Sequence, residues 1–76
     1  MLDTDPKEMW ARQHPDFFPL NINRADRQQL LRVPGLGEVT VNRIIALRKA
    51  GRTVHSLGDT GALGKRRAKA EKYVRY

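Results

Sequence analysis

The feature that most restricts how this chain can fold is a proline–glycine turn between two helical segments. The run Val33-Pro34-Gly35-Leu36-Gly37 interrupts an apolar helical pattern that lies on both sides of it. Pro34 fixes one φ angle, and the two glycines remove Cβ atoms from the backbone. Leu36 lies between the glycines and is expected, with Pro34, to anchor the turn in the core. The sequence therefore predicts two helices joined by a tight, fixed turn.

Apolar spacing and helix-cap residues predict helices in most of the chain. The predicted segments run from Asp5 to about Gln13, from about Arg24 to Arg32, from Gly37 or Glu38 to Gly51, for a few residues from Leu57, and from Lys65 to Val74. Asp5, Asn23 and Ser56 are the expected N-cap residues. Leu20–Ile22 and Thr53–His55 are too short to form a substantial sheet. We therefore expect an all-α fold, a small helical domain.

The first twenty residues differ from the rest of the chain. Residues 1–20 are expected to form a short helix and an aromatic arm, and residues 21–76 the main helical domain. Pro15 disfavours helix at His14, so the first helix is expected to stop there. Trp10, Phe17 and Phe18 fit two roles, stacking on nucleic-acid bases or covering the open side of a thin core. We favour the covering role.

The charge of the chain is concentrated in the main domain. Residues 1–20 contain two basic and four acidic side chains, whereas residues 21–76 contain thirteen basic and four acidic ones. A basic surface of this kind attracts polyanions, and nucleic acid is the commonest such partner, although the same charges also suit a merely solvated surface. The longest apolar run has four residues, from Ile44 to Leu47, which is too short to cross a bilayer. We expect a cytoplasmic protein that does not bind membranes.

Several classes of site are not supported by the residue pattern. The chain has no cysteine, and His14 and His55 are not spaced as metal ligands, so we expect no metal site. The acidic residues are scattered, and no nucleophile has a recognisable partner. The stretch around Gly64 also lacks the spacing of a phosphate-binding P-loop. We expect no catalytic residues in this chain.

The turn is suited to binding phosphate. Its glycines let backbone amides approach an anion, and the following helix points its unpaired N–H groups and its positive dipole end in the same direction. Thr40 adds a hydroxyl donor, and three basic residues further along extend the contact. The predicted phosphate-binding residues are Gly35, Gly37, Glu38, Val39, Thr40, Arg43, Lys49 and Arg52. Contacts of this kind do not read base sequence.

Residues 21–52 resemble a helix-hairpin-helix DNA-binding motif, with a Val-Pro-Gly-Leu-Gly turn between an Asn-x-Asn-capped helix and a helix that contains Ile44 and Ile45. The resemblance implies a bundle like that of SAM domains and phosphate binding by the amides of Gly35 and Gly37, on duplex or single-stranded DNA of any sequence. Many members have Lys or Arg where this chain has Thr40, which implies weaker binding. Some also hold a monovalent cation on carbonyls of the turn.

A longer stretch, from Asp5 through Trp10 and Phe17 to Gly37, resembles the C-terminal region of radical SAM proteins of the DNA modification or repair type. The resemblance implies that this chain is a fragment, and that an iron-sulfur cluster and S-adenosylmethionine would be bound only elsewhere in a parent protein. Near Asp59 the match becomes poorer.

The C-terminal segment allows two interpretations. Gly61–Lys65 can be superposed on Pro34–Glu38 as a degenerate second hairpin, but the expected buried Val39 then corresponds to a basic residue. Alternatively, the segment is a simple basic helix. In either case it supplies a secondary basic patch, formed by Lys65, Arg66, Arg67 and Lys69.

The sequence as a whole predicts a non-catalytic domain that binds DNA without sequence preference, in a larger DNA modification or repair protein of the radical SAM type. The alternative is a docking module that packs against the rest of its parent enzyme or against another protein, with no significant DNA affinity.

Overall fold

Four α-helices and two short 3-10 helices together contain more than half of the residues that the structure describes. The structure is a computed structural model, and it describes residues 6–62 and 64–76. In chain order the elements are α1 (Pro6–Gln13), a 3-10 helix (Pro15–Phe17), β1 (Leu20–Asn21), α2 (Arg27–Leu31), α3 (Glu38–Lys49), a second 3-10 helix (Leu57–Thr60), α4 (Gly64–Glu71) and β2 (Val74–Arg75). The predicted helical character is confirmed. The expected N-cap of α1, Asp5, lies outside the described residues.

The helices surround one apolar core. Its fully buried side chains are those of Ile22, Leu30, Val33, Leu36, Val41, Ile44, Val54, Leu57 and Ala70. Every helix from α2 to α4 contributes to this set, as do the segments that precede and follow α3. Pro34 is also buried, so the turn between α2 and α3 is anchored by packing against the core. No helix in the described ranges combines the length and apolar character that crossing a membrane requires.

Helix α2 is shorter than the sequence predicts. It begins after Asp26, whose carboxylate accepts from the Gln29 amide at 2.8 Å while the Gln29 side chain accepts from the Asp26 amide at 3.0 Å. The expectation that Asn23 caps this helix is wrong. The Asn23 side chain instead forms two hydrogen bonds with the backbone of Val54, so residues 22–24 remain a turn.

Helix α3 matches its prediction at both ends. Gly37 is the N-cap, and Gly51 follows the C-cap with a φ of +78°, a value that glycine adopts without strain. The guanidinium of Arg48 donates to the Ala25 carbonyl, and that of Arg27 donates to Asn42. These two contacts hold α3 against α2 and the residues just before it.

The strands β1 and β2 form only a short parallel contact, which agrees with the expectation that no substantial sheet forms. Leu20 pairs with Val74 and Asn21 with Arg75. Helix α4 therefore ends at Glu71, and the expectation that helix continues to Val74 is wrong, because the chain straightens to make this pairing. The Thr53–His55 stretch forms no strand, and Ser56 occupies the N-cap position of the second 3-10 helix without a side-chain cap hydrogen bond.

The arm packs onto the rest of the domain. The first helix stops before His14, as Pro15 predicts, and the Phe18–Pro19 peptide bond is cis. The rings of Phe18 and Tyr73 lie edge to face, with centroids 5.2 Å apart. Ala11 is buried. The aromatic arm thus covers one side of the core near the start of β2.

Candidate functional site

The turn between α2 and α3 gives its two glycines different environments. Gly35 has a φ of +91°, which favours glycine, and the Leu36 amide donates back to the Val33 carbonyl at 3.1 Å. Gly37 has ordinary extended angles, φ −99° and ψ 179°, and a Cβ built on it meets nothing within 4 Å. The face of the turn at Gly37 is therefore open, whereas Gly35 is enclosed.

Gly35 is enclosed by helix α4. A Cβ at position 35 would overlap the Arg66 carbonyl oxygen and would lie 3.1 Å from both the Cβ and the amide nitrogen of Ala70. The turn and the helix backbone are thus in direct contact. The sequence predicts a phosphate-binding amide at Gly35, and the structure adds a packing requirement for glycine there.

The first turn of α3 follows Gly37 and presents Glu38, Val39 and Thr40. The first N–H groups of a helix have no acceptor within the helix. The N-cap residue here is Gly37, which has no side chain and so supplies no cap hydrogen bond. Val39 is 67% exposed, so the expectation that it is buried is wrong: it faces outward, whereas Val41 and Ile44 face the core. Thr40 is half-buried. The backbone N–H groups of these three residues make the start of α3 rich in hydrogen-bond donors.

A cleft of about 530 Å³ brings the turn together with two other elements. Its lining residues are Gly35, Leu36 and Gly37 from the turn, Lys65, Arg66 and Lys69 from α4, and Pro6 and Lys7 from α1. Every ionisable side chain in this lining is basic. Three of the four residues of the predicted secondary basic patch therefore lie beside the turn.

Two of the lysines in this cleft also make contacts within the chain. The Lys7 ammonium donates to the Leu36 carbonyl of the turn. The Lys69 ammonium lies 3.0 Å from a carboxylate oxygen of Glu8, and both side chains are partly exposed. Helix α1 is therefore attached to the turn on one side and to α4 on the other.

Arg43 and Arg67 lie against glycines of the segment that precedes α4. The Arg43 guanidinium covers the position of a Cβ on Gly61, and that of Arg67 lies 3.0 Å from the corresponding position on Gly58. Arg67 also donates to Glu71 at 3.0 Å. Neither arginine is among the residues that line the cleft at the turn.

The remaining two predicted phosphate-binding residues lie at the far end of α3. Lys49 and Arg52 line a separate cleft with Asn23, Arg48 and Thr53. A helix of 12 residues is about 18 Å long, so this cleft is distant from Gly37. The structure does not bring these two basic residues together with the turn.

A third cleft, of about 780 Å³, lies beside the aromatic arm. The Trp10 ring stacks on His14 with centroids 4.0 Å apart, and the Arg32 guanidinium carbon lies 4.6 Å from the Trp10 centroid. Phe17 meets the same indole edge to face at 4.8 Å. Phe18 also meets it edge to face at 6.1 Å. The indole thus has four partners within the chain, an arrangement that agrees with a covering role for the arm.

No protein-family model matches this chain. No curated protein and no solved structure matches it either.

Two kinds of cation site were expected or implied from the sequence: none for a metal ion, and one for a monovalent cation on the turn. Within residues 6–62 and 64–76 no three His, Cys, Asp or Glu side chains are grouped so as to hold a metal ion. For a monovalent cation on the turn, Val33 and Leu36 supply carbonyls, but each already accepts from a donor in the chain: the Leu36 amide and the Lys7 ammonium.

Sequence analysis did not identify Lys7 and Glu8 as part of the site. They belong to the predicted arm, whose overall charge is acidic. Lys7 is 29 residues from Leu36 in the sequence, and Glu8 is about twice as far from Lys69. Neither periodicity nor residue type places α1 against the turn. That contact depends on how the arm folds back over the core.

Proposed function

We propose that this chain binds DNA without sequence preference, with α2, the turn and α3 acting as a helix-hairpin-helix motif. The observation that carries the proposal is the shared cleft, in which the turn glycines and the basic side chains of α4 line one surface. Backbone amides at a helix start and flexible cations recognise the same group, a phosphate oxygen, by complementary means.

The charge arrangement supports a phosphodiester as the ligand. Lys65 and Arg66 are exposed on α4, and the open side of Gly37 lies along the same cleft. Successive phosphates of one strand present a row of negative charges that such a surface can follow. The bases carry the sequence information, and nothing in this arrangement is shaped to read base edges.

We further propose that the domain is non-catalytic and serves a larger DNA modification or repair protein of the radical SAM type. The support is the resemblance of residues 5–37 to the C-terminal region of such proteins. Because the chain has no cysteine, thiolate ligands for an iron-sulfur cluster would have to come from the rest of that protein. The domain's part would be to hold the DNA.

A charge substitution at Gly37 tests the phosphate site. Gly37→Asp and Gly37→Asn both fit the open space and the extended backbone, and Asp and Asn are equally good N-cap residues. Both variants should be as stable as the parent or slightly more so. Only Asp places a negative charge where the phosphate would lie, so Gly37→Asp should weaken binding about tenfold or more relative to Gly37→Asn.

The measurement is fluorescence anisotropy with a short labelled duplex and the matched single strand at several salt concentrations. Neutralising about three to five phosphates would give a log–log salt slope of about −3 to −4, with micromolar or weaker affinity at physiological salt. Equal affinities of the Asp and Asn variants would refute the turn as the phosphate site. No salt-dependent binding by the parent chain would favour the docking module instead.

A further inference from the structure

We propose that helix α1 forms one wall of the phosphate site. In this arrangement the Lys7 ammonium contacts the bound DNA backbone, and the Glu8 carboxylate weakens DNA binding. This inference rests on the proposed function and extends it to the arm, which the sequence assigns to a separate segment. Lys7 lines the cleft that the turn and α4 share. The nucleic-acid surface would then consist of three elements.

The position of Lys7 is fixed by the turn itself. Its ammonium donates to the carbonyl of Leu36, the residue between the two turn glycines. A phosphate that accepts from the amides beyond Gly37 would therefore lie near this ammonium. An ammonium is a rotatable group with three donors, so it can bond a carbonyl and a phosphate oxygen together.

The charge of the cleft favours an anion. Lys7, Lys65, Arg66 and Lys69 are its ionisable lining residues, and all four are basic. A phosphate that enters the cleft is attracted by these positive charges, and the attraction weakens as the salt concentration rises.

Glu8 has the opposite effect on DNA affinity to that of Lys7. Its carboxylate lies 3.0 Å from the Lys69 ammonium, so it competes with phosphate for one of the four cations. The pair is partly exposed, with side-chain exposures of 28% and 39%, which makes it easy to exchange for a stronger anion. Lys7 should therefore raise DNA affinity, and Glu8 should lower it.

The test uses two single substitutions in the full chain and two matched controls. Lys7→Gln and Glu8→Gln each remove one charge at the cleft. Arg12→Gln removes one positive charge from the exposed end of the same helix, and Asp16→Asn removes one negative charge from the exposed 3-10 helix that follows. Binding to one labelled duplex is measured for all four at the same salt concentration.

Lys7→Gln should weaken binding about fivefold at about 0.15 M salt and make the salt slope shallower by about 0.9, the values expected for one lost phosphate contact. Glu8→Gln should strengthen binding about twofold to fivefold. The two controls change net charge equally and should alter affinity less than twofold. Thermal unfolding of each variant accompanies the titrations, and Lys7→Arg, which keeps the charge, should retain parent affinity.

The outcomes separate this inference from the proposed function. If the parent binds and Gly37→Asp weakens it, but the cleft variants match their controls, α1 is not part of the site and the proposed function stands. If the parent chain binds neither the duplex nor the matched single strand at low salt, both proposals are refuted. If Lys7→Gln fails to fold, the sign of the Glu8→Gln effect decides, because a decrease or no change overturns the inference.

Discussion

Gly35 lies directly against the carbonyl oxygen of Arg66, so closely that a Cβ at position 35 would overlap it. The two residues are in different halves of the chain, one in the turn after α2 and the other in the first half of α4. Their contact is what places the basic side chains of α4 beside the turn. The two glycines of the turn therefore have separate tasks: Gly35 permits the close packing, and Gly37 leaves the helix end accessible.

Gly35→Ala should destabilise the domain by about 2–4 kcal/mol, the combined cost of a left-handed φ and of overlap with packed backbone. Gly51→Ala is the matched control, because Gly51 also has a positive φ but has open space around its Cβ position. The control should cost about 1 kcal/mol. Urea unfolding measures both, and equal losses would mean that the Arg66 contact contributes nothing.

Asn23→Ala should cost about 2–3 kcal/mol. The Asn23 amide donates to the Val54 carbonyl at 3.0 Å and accepts from the Val54 N–H at 2.8 Å, so the substitution leaves two backbone groups of a fully buried residue without partners. Asn42→Ala removes an exposed side chain that accepts from Arg27 and should cost less than about 0.5 kcal/mol. Denaturant midpoints of the two variants distinguish these expectations.

Asp26→Ala should destabilise the domain by about 1 kcal/mol, because the side chain accepts from the Gln29 amide in a capping box. Helix α2 has five residues, so the loss of its cap affects a large share of the helix. Asp26→Asn keeps an acceptor at the N-cap and should stay within about 0.5 kcal/mol of the parent. If both variants unfold at the same urea concentration, the cap is not what starts α2.

Tyr76 should make the stability fall in alkaline solution. Its hydroxyl oxygen accepts from the Leu57 N–H at 3.0 Å, and partial burial raises the pKa of the phenol above its ordinary value of 10.0. Because the folded-state pKa is higher than the unfolded one, the stabilisation is fully present below pH 10.0 and is lost as the pH rises through the folded pKa.

Tyr76→Phe isolates this effect from the titration of lysines, which both proteins share. The free energy of unfolding of parent and variant is measured by urea titration at a series of pH values on either side of the phenol pKa. The difference between the two proteins should shrink as the pH rises. A constant difference across the series would contradict a raised pKa for Tyr76.

Local sequence signals predicted the helix ends that depend on neighbouring residues. Pro15 stops α1 at Gln13, and Gly37 and Gly51 bound α3, as predicted. The start of α2 was predicted wrongly, because Asn23 has the chemistry of an N-cap but bonds to Val54, 31 residues away. Propensity alone cannot distinguish a local acceptor from a distant one.

The candidate site was predictable only in part, for the same reason. The turn was recognised because proline and glycine restrict or free the backbone in ways that depend on the residue alone. The exposure of Val39 was not predicted, since a valine in the first turn of a helix suits either face. The separation of Lys49 and Arg52 from the turn follows from the length of α3, since both lie at its C-terminal end.

The sequence by itself determined the helical class, the turn with its two glycines and the excess of basic side chains, because each is a property of neighbouring residues or of their sum. Only the tertiary structure decided that α4 packs on Gly35, that α1 reaches Leu36 and that Glu8 pairs with Lys69. These contacts join segments far apart in the chain. Their formation depends on the burial of a common core, which no local pattern specifies.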